Sequence, residues 1–387
     1  MRIAINGLFL QEPHTGTGRY LFNLLNALGR VDGINEYLVL SPHELKDMPE
    51  TPSTFEWQTV PVRFQRAGEN ITKLVWEQRT FPLAAKHAEA RLMHVPHFAP
   101  PLRTYGISTI VTVHDVISLR LPEYRTSPTA QAYSQLVSRA AKHASAILTV
   151  SDFSKQDIIE LLDFPADRIQ VIREAPAPQY RRVADQERLH AVREKYGLGE
   201  RYVLNVGGLD VRKNLRGLVA AFAAVYHSLR QRDLQLFIAG DPDRLGTSPL
   251  FPDWRSLAAT FSIPGQIVCM PVDEEDLPAL YSGASCFAFT SVYEGFGLPP
   301  LEAMACGAPV VCSDRTSLPE VVGSAGVLVD PEDADHLAAA LLRVLSDQHY
   351  ADDLRARGLA RARQFTWEQV AAQTSALYAQ VTGTQRD

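Results

Sequence analysis

Short apolar runs alternate with amphipathic stretches along almost the whole chain. Residues 3–5, 37–40, 92–94, 108–113 and 146–150 are compact apolar runs, and each predicts a buried strand. Between the first two, Leu21, Leu24, Leu25 and Leu28 recur at helical spacing and mark one helix face. A second series predicts strands over 202–206, 234–239, 266–270, 286–289, 309–312 and 326–329. Within it, Leu215, Leu218, Phe222, Val225 and Leu229 line one face of a helix that Asn214 is placed to cap. Buried strands alternating with helices predict parallel sheets covered on both sides.

The two series part at EAPAPQYRR, residues 174–182, where Pro176 and Pro178 fit neither a helix interior nor a central strand. The expected organisation is two doubly wound, Rossmann-like α/β domains, residues 1–175 and 176–363, meeting at a hinge. Residues 334–383 read as helical, and Thr366 with Gln369 makes a capping-box start for a final helix within 364–387. A length of 387 residues, too great for one ordinary core, agrees with two domains.

Charge narrows the function classes. The net charge is −6, and residues 1–175 balance 18 basic against 18 acidic side chains, so the acidic excess lies in the second half. No clustered basic face of the kind that nucleic acid requires is present, and no nucleic-acid partner is expected. The richest basic stretch is Arg63, Arg66, Lys73, Arg79, Lys86 and Arg91, interspersed with Glu69, Glu77 and Glu89. It reads as a solvated helical face; the sharper alternative is loose contact with an anionic membrane surface or a lipid-linked acceptor. Cys269, Cys286, Cys306 and Cys312 form no C-x-x-C pair and sit in or beside apolar runs, which predicts buried free thiols in a reducing compartment. The start MRIAINGLFL lacks a long apolar segment with a cleavage site, and a cytoplasmic location is expected.

The strongest chemical signal is YEGFGLPPLEAMACGAPVV, residues 293–311, where seven residues separate Glu294 from Glu302. Glu294 is expected in the loop at the C-terminal end of a strand, and Glu302 in the first turn of the following helix. Pro299 suits the start of that helix and Gly307 its end. The amides of Phe296, Gly297 and Leu298 would then be unpaired at a helix N-terminus, an anion site. Acids on either side of an anion site suit a ligand with hydroxyls on both sides of its phosphates, such as a nucleotide sugar. The plainer alternative is a dipole-compensating Glu302 and a turn-capping Glu294.

A second motif is NVGGLDVRKNL, residues 205–215, in which Arg212 and Lys213 precede a helix. Positive charge at the positive end of a helix is locally unfavourable, and a bound phosphate would explain it. HTGTGRY, residues 14–20, places Gly16 and Gly18 between the first strand and first helix, with Leu21 where a dinucleotide fingerprint has its third glycine. A nicotinamide enzyme is thereby disfavoured; a glycine loop against a phosphate or acceptor and a simple tight turn remain. STIVTVHDV puts His114 and Asp115 at a strand's C-terminal end, where open α/β sheets bind ligands. A satisfied polar histidine is the equal alternative. His94 and His97 occupy a similar strand end without a third ligand at metal spacing, and D-P-D at 241–243 reads as a loop, so no metal site and no cofactor are expected.

Together these motifs resemble the retaining family-4 glycosyltransferases of the GT-B fold, in which two such domains face a cleft. EGFGLPPLE is the most specific mark; WEQ at 76–78, HDVISLRLPEY and VSDFSKQDI add similarity to the bacterial mannosyltransferase-like branch that builds O-antigen and other surface polysaccharides. The resemblance implies that Glu294 contacts the donor sugar, Glu302 the ribose, and Lys213 the diphosphate and leaving group, with Arg212 close by. It implies that Phe296, Gly297 and Leu298 offer amides to phosphate and sugar, and that the base packs around residues 270–277. His114, with Asp115 beside it, would lie next to the transferred sugar, and Gly16 and Gly18 near the phosphates and acceptor; the final helix would cross back onto the first domain. The chain departs from the pattern at Gly208, where many members carry arginine, at Met270, where glycine is common, and at the hinge. The implied partners are a nucleoside-diphosphate sugar donor, GDP-mannose first, and a saccharide or lipid-linked acceptor. Rival classes are a nucleotide-sugar isomerase on the same fold and a non-catalytic nucleotide-sugar-binding partner.

Overall fold

In the computed structural model, residues 1–45, 48–62, 68–229, 233–263 and 265–383 are described. The first series of apolar runs builds one wholly parallel sheet. Its strands are β1 (Arg2–Asn6), β2 (Glu36–Ser41), β3 (Phe55–Thr59), β4 (Leu92–Val95), β5 (Ser108–Val113), β6 (Ala146–Thr149) and β7 (Ile169–Val171). They lie in the order β3-β2-β1-β4-β5-β6-β7. The second series builds a parallel sheet from β8 (Arg201–Val206), β9 (Leu234–Ala239), β10 (Ile267–Met270), β11 (Cys286–Phe289), β12 (Val310–Ser313) and β13 (Val327–Val329). Its order is β10-β9-β8-β11-β12-β13. In each sheet the direction of winding reverses beside the first strand, between β1 and β4 and between β8 and β11. Crevices at the carboxyl ends of such strand pairs are where open α/β sheets take ligands.

The chain divides into two units, Met1–Glu174 with Thr366–Asp387, and Ala175–Phe365. Each has its own core. Trp76, Met93, Val111 and Ile147 are among the buried residues of the first; Phe222, Leu236, Ala288 and Leu341 are among those of the second. The helix Leu215–Leu229 buries Leu215, Leu218, Phe222 and Val225, and Asn214 Oδ1 accepts from the Gly217 amide as a cap. Residues 172–185 contain neither helix nor strand.

Two strands went unread in the sequence, β3 and β7. Both are sheet edges, where one flank is open and the apolar run shortens: β3 reads FEWQT with mostly exposed positions, and β7 has three residues. Two further expectations need correction. Cys286, Cys306 and Cys312 are buried free thiols, but Cys269 is only half-buried. Glu77 is not part of a solvated face: it is 1% exposed, in a π-helical segment Trp76–Thr80, while Arg79, Lys86 and Arg91 are exposed. Arg63 and Arg66 lie outside the described residues. Among the described residues, no helix is long and apolar enough to cross a membrane.

The terminal helix Trp367–Gly383 belongs to the first unit, and its buried face there is polar as well as apolar. Ser375 Oγ donates to Asp32 Oδ2 at 2.5 Å, and the Tyr37 hydroxyl donates to the same oxygen at 2.6 Å. Burial disfavours the Asp32 carboxylate, but these bonds, with Asn35 and the Ile34 amide, hold its pKa far below the ordinary range. Deeper in, the Tyr378 hydroxyl meets His94 Nδ1 at 2.7 Å, and His94 Nε2 meets Thr112 Oγ1 at 2.8 Å. Burial pushes His94 down to about 3, so its folded form stays neutral where the unfolded form takes up a proton.

The sign follows from proton uptake. Below the unfolded value near 6.5 the unfolded chain binds the extra proton, so stability falls as pH drops from about 6.5 towards about 3. The limit for this one group is about 1.4 kcal/mol per pH unit. His94→Gln should therefore flatten the pH dependence of unfolding midpoint across that window; an unchanged slope in denaturant melts would refute the assignment.

Candidate active site

The second sheet's reversal point is occupied by charge. The loop after β8 carries Gly207, Gly208, Asp210, Arg212 and Lys213; the loop after β11 carries Glu294. The loops are joined through the backbone, Val292 N–H donating to Arg212 O at 2.8 Å. Across this seam Lys213 Nζ donates to Glu294 Oε1 at 2.5 Å, and Arg212 Nη1 to Glu294 Oε2 at 2.7 Å. Arg212 Nε also pairs with Asp210 Oδ1 at 3.0 Å. Lys213 and Glu294 are only 5% and 9% exposed.

Burial favours the neutral acid at Glu294, but Lys213 and Arg212 outweigh it and hold its pKa at about 2. Burial lowers the Lys213 ammonium from the ordinary lysine value, with Glu294 opposing and Arg212 reinforcing the shift. Two cations and two anions thus balance locally. The lysine also lies 4.7 Å over the Phe289 ring. An ammonium has three donors, so a bond to Glu294 leaves others for a ligand oxygen.

The glycine pair has a steric reason. Gly207 adopts φ +147°, and a Cβ there would lie 3.3 Å from Lys213 Cε. At Gly208 a Cβ would meet Asp210 Oδ2 at 2.8 Å. A side chain at this position would therefore run into the carboxylate that pairs with Arg212.

The 293–311 stretch folds nearly as its pattern predicts. The helix runs Leu298–Ala305 and Gly307 follows at φ +80°. Glu302 is its fifth residue, past the first turn rather than within it, because the helix begins before Pro299. Glu302 is buried and accepts the Tyr281 hydroxyl at 3.1 Å. Gly297 precedes the helix at φ +118°, and a Cβ there would come 2.7 Å from Leu318 Cδ2. Residues unread in the sequence pin this loop: the Glu294 amide donates to Thr316 Oγ1 at 3.1 Å, and Ser317 Oγ reaches Glu294 O at 2.9 Å and Phe296 O at 2.7 Å. Nothing in the pattern around residues 316–317 marks them. Asp210 was visible beside its two basic neighbours but went unweighed.

The remaining predicted site residues lie in the first unit. His114 follows β5, and its Nδ1 meets Glu174 Oε1 at 2.8 Å. Burial opposes its charge, yet Glu174 and Asp115 raise its pKa above the ordinary histidine value. Asp115 Oδ1 accepts the Ile117 amide at 2.9 Å. The Tyr20 ring packs edge-on against His114, with centroids 4.6 Å apart. Gly16 and Gly18 do not form a loop: they are the first and third residues of the helix Gly16–Val31, capped by Thr15 Oγ1 on the Gly18 amide. Asp241 closes a short turn by accepting the Asp243 amide. Among the described residues, no group of three or more His, Cys, Asp or Glu is placed to hold a metal.

A doubly wound pair of parallel sheets, with a buried cationic and anionic cluster at the reversal point of the second, defines an α/β protein suited to an anionic, hydroxyl-bearing ligand. Residues 187–361 match the family Glycosyl transferases group 1, and residues 14–175 match Glycosyltransferase Family 4. The chain is 34% identical to the O-antigen chain mannosyltransferase B of Escherichia coli, over 95% of this chain and 97% of that one. It is 29% identical to the serotype-specific mannosyltransferase WbdA of the same organism over 90% of its own length, spanning 43% of that larger protein. A sucrose-phosphate synthase from Thermosynechococcus elongatus shares the fold over the whole of both chains, with a TM-score of 0.75 at 23% identity. The chain belongs to the family-4 glycosyltransferases, enzymes of the GT-B fold.

The two glycines of HTGTGRY separate by substitution. A Cβ at Gly16 meets nothing within 4 Å, whereas one at Gly18 would lie 2.0 Å from Glu12 O. Gly16→Ala should leave stability unchanged or raise it by up to about 1 kcal/mol. Gly18→Ala should destabilise by about 1–3 kcal/mol or more. Equal unfolding midpoints for the two variants would contradict this packing.

Proposed function

We propose that the enzyme transfers mannose from GDP-mannose to a hydroxyl of a growing bacterial surface polysaccharide, with retention of the anomeric configuration and without a metal ion. The observation that carries this reading is the buried Lys213–Glu294–Arg212 cluster at the reversal point of the second sheet. The identity with O-antigen chain mannosyltransferase B over nearly both full lengths supports the choice of sugar.

In this reading the bond from the sugar's anomeric carbon to the diphosphate breaks, and its electrons pass to the phosphate oxygen. Lys213, Arg212 and the amides of Phe296, Gly297 and Leu298 stabilise that developing charge, and stabilisation of this kind is usually the largest contribution to such a step. Glu294 keeps Lys213 charged despite its burial and reaches the donor sugar. Glu302 takes the ribose, and residues 270–277 the base. The acceptor oxygen bonds to the anomeric carbon and gives its proton to the leaving diphosphate. His114, tied to Glu174, flanks the transferred sugar, with Asp115 beside it and Gly16 and Gly18 at the acceptor side.

A lipid-linked acceptor would bring the enzyme to a membrane surface. Exposed Ile71 and Leu102 and the exposed cations Arg79 and Lys86 of the first unit support loose attachment there.

The test is a panel of nucleotide sugars scored by thermal shift and then by nucleotide release with acceptor. GDP-mannose should stabilise the protein most. Lys213→Ala should lower turnover by about 10²–10³-fold, equivalent to about 2.7–4 kcal/mol. Near-normal turnover in both Lys213→Ala and Glu294→Ala would sink the assignment. Conversion of the donor without any acceptor, and without nucleotide release, would point instead to an isomerase.

A further inference from the structure

The first sheet has its own reversal point, between β1 and β4, and it is lined by a polar cluster that the donor chemistry does not use. Asn6 ends β1 and is 1% exposed; His97 follows β4 and is 6% exposed. Between them stands the π-helical segment Trp76–Thr80, an irregularity often found at functional sites. Trp76 Nε1 donates to Asn6 Oδ1 at 2.9 Å. Its neighbour Glu77 accepts from His97 Nε2 at 3.2 Å and from the Tyr133 hydroxyl at 2.9 Å.

These bonds leave a specific deficit. Burial lowers the His97 pKa against the opposing pull of Glu77, so the ring is neutral at pH 7. With Nε2–H donated to the Glu77 carboxylate, Nδ1 carries the lone pair. That Nδ1 and the Asn6 amide nitrogen Nδ2 are both buried and have no hydrogen-bond partner. A buried unpaired polar atom is expensive, and two at one sheet reversal point, one donor and one acceptor, match what a sugar hydroxyl supplies. The Phe9 ring packs edge-on against His97, centroids 4.8 Å apart.

We propose that Asn6 Nδ2 and His97 Nδ1 form the subsite that takes a hydroxyl of the acceptor sugar, with Glu77 the positioning residue that fixes the His97 tautomer. The inference rests on the glycosyl-transfer reading above and names the acceptor side of that same reaction. Saccharide acceptors would be selected here by hydroxyl geometry, since a site built to pair a hydroxyl rejects an analogue that lacks it.

His97→Gln separates this role from a purely structural one. The glutamine Nε2 can still donate to Glu77, but nothing replaces Nδ1. Asn6→Asp keeps Oδ1 for Trp76 while removing the Nδ2 donor. Steady-state transfer from GDP-mannose to a panel of methyl glycosides and short mannosides is the readout, with nucleotide release to water and melting temperature followed in parallel. Each variant should raise the acceptor KM by about tenfold or more, with donor KM and release to water unchanged. Glu77→Gln should act in the same direction but less, because its side-chain oxygen still accepts from Nε2–H. A wild-type acceptor KM in His97→Gln, as expected if the atoms merely hold a bound water, would overturn the inference. So would transfer to no glycoside of the panel while nucleotide release persists. Absence of nucleotide release from every donor by the unaltered enzyme would instead overturn the glycosyl-transfer reading itself.

Discussion

Glu294 bound to Lys213 is the interaction on which the second unit's site depends. Two opposite charges this deeply buried are tolerable only in good geometry, and removing one partner of such a pair typically costs about 3–5 kcal/mol. Here the geometry is supplied by backbone. Lys213 follows β8 and Glu294 follows β11, neighbours in the sheet although 81 residues apart in the chain. The Val292–Arg212 backbone bond closes the seam, Thr290 Oγ1 reaches Lys213 O at 2.9 Å, and Thr316 and Ser317 hold the Glu294 loop from the β12 side. The charges are therefore held by the protein's own backbone and side chains, the arrangement that the proposed electrostatic stabilisation requires.

The first unit solves a different problem with the same fold. Its reversal point carries Asn6 and His97 with the carboxylate of Glu77, which His97 and Tyr133 contact directly and Lys73 approaches at 3.9 Å. Behind them a buried line from Tyr378 through His94 to Thr112 ties the terminal helix to β4 and β5. Thr112 lies near Tyr20, whose ring borders His114. The terminal helix is thus part of the support for the His114 loop, although it is encoded more than 250 residues later, at Trp367–Gly383.

Most of this frame was legible in the sequence because parallel strands buried on both faces leave continuous apolar runs. The edges were not: β3 and β7 pair on one side only, so their pattern fades. The glutamates, Lys213 and Arg212 were legible as residue types at fixed spacing, yet not as one cluster, since nothing in a linear pattern shows that residues 212–213 and 294 meet. The same limit hid Glu174 and the Thr316–Ser317 clamp. Glu77 lies buried in a π-helical segment, whereas the composition around it is that of an exposed helix. Gly16 and Gly18 were read together, but only Gly18 is confined by a neighbouring carbonyl.

The central claim is that Lys213, kept charged by Glu294, receives a diphosphate. Calorimetric titration of GDP and of guanosine against the unaltered enzyme and Lys213→Met tests it most directly, because it isolates the phosphates from base and sugar. The account predicts that the variant loses about tenfold or more in GDP affinity while guanosine binding is unchanged. Unchanged GDP affinity, or an equal loss for GDP and guanosine, would contradict it.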